Sequence, residues 1–79
     1  MKYKRQALRH LIERALKRNP FTADQPIRVT LDGVNVLLYG WVNHADLIPE
    51  AVATVETVAP FLNVYSRLRV RGARVVMRP

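Results

Sequence analysis

The sequence predicts an α+β fold in the order helix, strand, strand, helix, strand (αββαβ), a three-stranded mixed sheet with two helices packed on one face. Three observations predict it. Apolar residues recur at helical spacing in two separate stretches, around residues 7–16 and 48–58. Apolar and polar residues alternate in three others, as half-buried strands require. Between the first two of these stands Asp32-Gly33, a strong short-range hairpin signal. Each helix stripe and each strand face needs a cover, and in this order they cover one another.

Lys2 to Arg18 reads as the first helix. Ala7, Leu8, Leu11, Ile12, Ala15 and Leu16 form its apolar stripe, and Arg5, Arg9, Glu13 and Lys17 descend the opposite side in steps of four. Lys17 and Arg18 suit the negative end of the helix dipole, and Asn19-Pro20 stops the helix because proline lacks the N–H to continue it. Phe21 to Pro26 is a loop. Ile27–Leu31 and Val34–Val42 are strands. A two-residue turn at Asp32-Gly33 pairs Leu31 with Val34, Val29 with Val36 and Ile27 with Leu38, so that all share one buried face, which Gly40 and Val42 continue. The other face carries Arg28, Thr30, Asn35, Leu37, Tyr39 and Trp41.

The second helix ends near Ala59-Pro60. With Asn43 as its cap, Pro49 would fall too deep in the helix. With Asp46 as cap, Pro49 falls in the first turn, where a missing N–H costs little, so Asp46 is preferred. Ala51, Val55 and Val58 form the inward stripe, with Ile48 and Val52 beside it. Asn63–Arg71 alternates as the last strand, with Val64, Leu68 and Val70 on one side and Tyr65, Arg67, Arg69 and Arg71 on the other. A strand–helix–strand crossover places this strand parallel to the second and next to it. Residues 72–79 either prolong it past a bulge or form a basic tail.

The 79 residues suffice for one domain, 1–79, whose core is thin, and with no cysteine neither a disulfide nor a thiolate metal site supplements it. The net charge of +7 is unevenly spread. Residues 1–18 hold seven cations and one acid, residues 19–66 one cation and five acids, and residues 67–79 five arginines and no acid. Two basic ends around an acidic middle predict attraction to polyanions, lipid or nucleic acid. The apolar residues near the N-terminus are too interrupted for a secretory core or a spanning helix. A complete chain is therefore expected in the cytoplasm, and a domain excised from a longer protein in the periplasm or envelope.

This order and spacing resemble the BON domain, a small bacterial module. The resemblance runs from about Arg5 to Val70. It rests most on Ile27-x-Val29-x-x-Asp32-Gly33-x-x-Val36-x-Leu38-x-Gly40-x-Val42, a strand, a tight turn, then apolar residues alternating into a small glycine. Ala51, Val55, Val58, Phe61, Val64, Leu68 and Val70 suit the later positions. The chain departs from the family pattern at Pro60-Phe61, where Gly-Val is usual, and at Ser66, where Asn is frequent. The resemblance implies phospholipid binding and membrane association, and no catalytic residues.

Two surfaces are candidate sites. Lys2, Arg5, Arg9, Arg14 and Lys17, with His10, present a helix face suited to an anionic phospholipid surface, each cation contributing about 1 kcal/mol there. The competing reading is a solvated face that keeps the domain soluble. Arg28, Tyr39, Trp41, Tyr65, Arg67, Arg69 and Arg71 form the second, on the uncovered sheet face. Interleaved aromatics and arginines suit single-stranded nucleic acid, and equally a membrane interface. The competing reading is a homodimer or adjacent-domain interface, because Leu37, Tyr39 and Trp41 make an apolar patch. The two surfaces are expected on opposite sides of the domain.

Catalytic and metal readings fail on the residues. Asp46 and Glu50 sit in a helix first turn, where carboxylates favour the dipole. His10 and His44 lack ligand spacing, and Ser66 stands on a strand without a nucleophile elbow. No enzyme activity, metal or cofactor is expected. The expected function is a binding module for anionic phospholipid or envelope components, with single-stranded nucleic acid or a protein partner as alternatives.

Overall fold

Lys4 interrupts the first helix before its pattern does. In the computed structural model, which describes residues 4–72, Lys4 is extended (φ −71°, ψ 149°) and α1 spans Arg5–Arg18. No side chain caps it and its first turn holds no acid, so nothing draws the helix further back; its first bond runs from the Leu8 N–H to the Lys4 carbonyl. The expected start at Lys2 lies outside the described residues. The remaining elements are β1 (Ile27–Asp32), β2 (Asn35–Val42), α2 (Leu47–Val58) and β3 (Asn63–Val70). The order and the α+β class match the sequence reading.

The stripe of α1 is narrower than expected and rotated. Only Leu8, Ile12 and Leu16 are buried, while Ala7 and Leu11 are exposed. A helix turns about 100° per residue, which puts Arg9 about 60° from Ile12 and Leu11 about 100° the other way. Arg5, Arg9 and Glu13, within about 100° of Ile12, therefore border the core instead of lining the side opposite it. Lys17 lies about 140° away and is exposed, whereas Arg9 and Glu13 are half-buried.

The loop after α1 holds more structure than its composition announced. Thr22 is buried, and its hydroxyl donates to the Leu16 carbonyl at 2.6 Å, satisfying a group the helix end leaves open. Asn19 Nδ2 donates to Glu50 Oε2 (2.8 Å) and Thr54 Oγ1 (2.9 Å), tying the end of α1 to α2. Gln25 is buried as well, and its Oε1 accepts the Asn43 N–H.

The hairpin turns one position later than expected. Asp32 pairs with Asn35, Leu31 with Val36, Val29 with Leu38 and Ile27 with Gly40, antiparallel. The two turn residues are Gly33 and Val34. Gly33 has φ +62° at the first of these positions, which glycine occupies in a type II′ turn. The pairing is thus displaced by two residues from the expected one. Side chains alternate with period two, so an even displacement leaves every other side chain on its expected face. Val34 alone leaves the buried set, and is exposed.

β3 pairs with β2 in parallel, giving the order β1-β2-β3. It ends at Val70 instead of Arg71, although the Arg71 N–H still donates to the Val42 carbonyl. The strand extension or basic tail read for the C-terminus lies outside the described residues beyond Gly72. Asp46 is the N-cap of α2 as expected, but its side chain makes no cap bond. The Leu47 and Ile48 N–H groups go instead to the His44 and Ala45 carbonyls of the preceding turn.

Both helices pack on one face of the sheet, α1 against β1 and α2 mainly against β3. Leu8, Ile12 and Leu16 meet Val29, Leu31, Val36, Leu38, Val42 and Leu68 there, with Ala51, Val55, Ala59 and Leu62 closing the core. No described element covers the opposite face, the open face of the sheet.

Candidate functional site

On the open face the strand registers set the side chains in rows. Nearest the hairpin turn is Asp32–Asn35–Asn63, then Thr30–Leu37–Tyr65, then Arg28–Tyr39–Arg67, then Trp41–Arg69. The arginines of this face are confined to the half away from the turn, and the only acid, Asp32, lies in the row nearest the turn. Arg71 follows in the turn after β3. Tyr39, Trp41 and Tyr65 are 38%, 43% and 54% exposed, so each ring is half covered and half presented. The guanidinium of Arg69 lies over the Trp41 ring at 5.9 Å from its centroid, a cation–π contact, and the hydroxyls of Thr30 and Tyr39 are hydrogen-bonded to each other.

Three of the helix cations, Arg5, Arg9 and Lys17, border grooves that also reach outward-facing sheet residues. β1 is an edge strand, so no further strand separates α1 from the open face. Four grooves run along this seam. Arg5 and Arg9 border one with Thr30 and Leu31. Arg9 borders the next with Glu13, Arg28, Thr30 and Tyr39. His10, Arg14 and Lys17 border a third with Gln25. Lys17 borders the fourth with Arg28, Gly40 and Trp41. Arg5, Arg14 and Lys17 are exposed, and Lys17 Nζ reaches the Ala23 carbonyl at 3.3 Å. Arg9 Nε lies 3.8 Å from Glu13 Oε2, a half-buried i, i+4 pair worth about 0.3–0.5 kcal/mol.

The expectation of two basic surfaces on opposite sides is therefore corrected. Rotation of α1 brings Arg9 and Lys17 to the β1 edge, where they meet Arg28, Tyr39 and Trp41. Lys2 lies outside the described residues. Sequence reasoning missed Gln25 and Thr30 as lining groups. For Thr30 the signal was present, since it shares the outward parity of Arg28; Gln25 sits in a loop whose path no periodicity predicts.

Among the described residues, no three His, Cys, Asp or Glu side chains gather where they could hold a metal ion. No helix among them is long and apolar enough to cross a membrane. A family model described as BON domain matches residues 4–72. Comparison with curated proteins finds no match.

Proposed function

The chain belongs to the BON domain family, and from that premise we propose that it is a non-catalytic binding module that attaches to anionic phospholipid surfaces through the cations around its β1 edge. One observation carries this reading: Arg9 and Lys17 of α1 border the same grooves as Arg28, Tyr39 and Trp41 of the sheet. Cations at an anionic bilayer contribute about 1 kcal/mol each, and Trp and Tyr rings favour the headgroup region beside them. The family's association with phospholipid and membranes supports the same partner.

The charge rows weigh against a sheet-to-sheet homodimer. A two-fold axis over the arginine rows would bring Arg28, Arg67 and Arg69 of the two copies together, with Asp32 of the described residues on this face to offset them. Nucleic-acid stacking on Trp41 would first have to displace Arg69 from the ring.

Trp41 is the single tryptophan of the chain, so its fluorescence reports this surface directly. Vesicles of phosphatidylglycerol at low salt are expected to shift its emission to the blue and to sediment with the protein, and vesicles of phosphatidylcholine to do neither. Absence of binding to the anionic vesicles at low salt overturns the proposal. A response to a single-stranded oligonucleotide alone would transfer the surface to nucleic acid.

A further inference from the structure

We propose that the groove bordered by Arg9, Arg28, Thr30 and Tyr39 is a discrete site for a phosphate group, the chemistry common to a phospholipid headgroup and to inorganic phosphate. Only the source of that phosphate rests on the membrane reading above. The groove is open to solvent and holds about 290 Å³, which is room for a headgroup. Its wall is mostly polar, whereas those of the other three grooves along the seam are mostly apolar.

Two arginines from different elements border it, Arg9 from α1 and Arg28 from β1. An arginine presents a planar fork of N–H donors that matches two oxygens of one phosphate, and charge-assisted bonds of this kind are the strong ones. The Thr30 and Tyr39 hydroxyls share the groove and are already oriented by their bond to each other.

Among the described residues Arg9 has no strong partner. Its Nε is shut off from solvent without a hydrogen bond among the described residues, and Glu13 Oε2 at 3.8 Å is too distant to accept one. The Glu13 carboxylate borders the same groove and repels an incoming phosphate. That repulsion is a signature that diffuse surface attraction lacks. Removing the Glu13 charge should strengthen binding more than removing that of Glu56, an exposed acid on α2 that borders none of these grooves.

The test is NMR titration of backbone and arginine Nε–H signals at constant ionic strength. Inorganic phosphate, monomeric dihexanoyl phosphatidylglycerol and acetate form separate arms. The site predicts saturable shifts at Arg9, Arg28 and Thr30 with one or both phosphates and none that saturates with acetate. Arg28→Gln is expected to weaken binding about tenfold, and Arg28→Lys, which keeps the charge but loses the fork, to weaken it nearly as much. Glu13→Gln should tighten binding several-fold, with Glu56→Gln near unchanged.

Unsaturated shifts spread over all exposed cations, equal responses to Glu13→Gln and Glu56→Gln, or saturation by acetate would each overturn the site. If no phosphate saturates while the wild-type protein still binds phosphatidylglycerol vesicles at low salt, and the Arg9→Gln/Arg28→Gln double variant binds them only a few-fold less, the site falls and the membrane reading stands. Saturation by inorganic phosphate in a protein that ignores those vesicles upholds the site and removes the membrane.

Discussion

Gly40 and Gly33 both hold positive φ, yet their side-chain-free character serves different ends. At Gly33 (φ +62°) an added Cβ would meet nothing within 4 Å, so Gly33→Ala is expected to cost only the left-handed backbone penalty, about 1–2 kcal/mol. At Gly40 (φ +129°) a Cβ would sit 2.0 Å from the Pro26 carbonyl oxygen, a backbone atom that also accepts the Trp41 N–H. Nothing flexible is there to yield, and Gly40→Ala is expected to cost about 3 kcal/mol or more. Urea denaturation of the two variants side by side checks the difference; equal losses would refute the close-approach argument. Gly33 was legible in the sequence because a hairpin turn asks for glycine locally. Gly40's requirement was not, because the group it avoids comes from the loop before β1, and no local spacing reports that approach. The same holds for Thr30, whose outward parity was visible but whose bond to Tyr39 depends on the register.

At the scale of the element, what ends a helix and what pairs a strand were only partly legible. Asn19-Pro20 located the end of α1, but the group that satisfies that end is Thr22, folded back to the Leu16 carbonyl. Thr22→Val keeps the volume and removes the donor in a buried place, so a loss of about 1–2 kcal/mol is expected, with Thr22→Ser retaining most of the stability. Thermal unfolding of the two variants measures it, and a neutral Thr22→Val would show the bond to be dispensable. For the hairpin, Asp32-Gly33 identified the turn but not which of its positions the glycine fills. With glycine first instead of second, Val34 becomes a turn residue and the pairing moves by two, and the buried face survives because two is the period of a strand. For α1, six apolar positions spanned more of the helix surface than the core covers. The burial of Leu8, Ile12 and Leu16 alone decided which flank meets β1.

At the scale of the whole molecule, the described cations Arg5, Arg9, Lys17, Arg28, Arg67 and Arg69 lie along the seam between α1 and the sheet and over the adjoining half of the open face. Binding to phosphatidylglycerol vesicles is expected to fall at least about tenfold between 0.05 and 0.5 M salt, because exposed cations are screened within a few ångströms at the higher value. Co-sedimentation across that range checks it, and salt-independent binding would mean that apolar insertion dominates. Arg5→Gln and Arg9→Gln should each weaken binding by a few-fold at low salt, and more than a Glu56→Gln change alters it. Composition alone determined the net positive charge and its uneven spread, and residue periodicity determined the αββαβ order, the faces of the three strands and the parallel crossover, because these depend on spacings within a single element. The rotation of α1, the displaced register and the meeting of Arg9 and Lys17 with Arg28, Tyr39 and Trp41 were decided only by the tertiary structure. Each depends on how one element's side chains fill the space left by another, and that fit is a property of the packed core that no single segment carries.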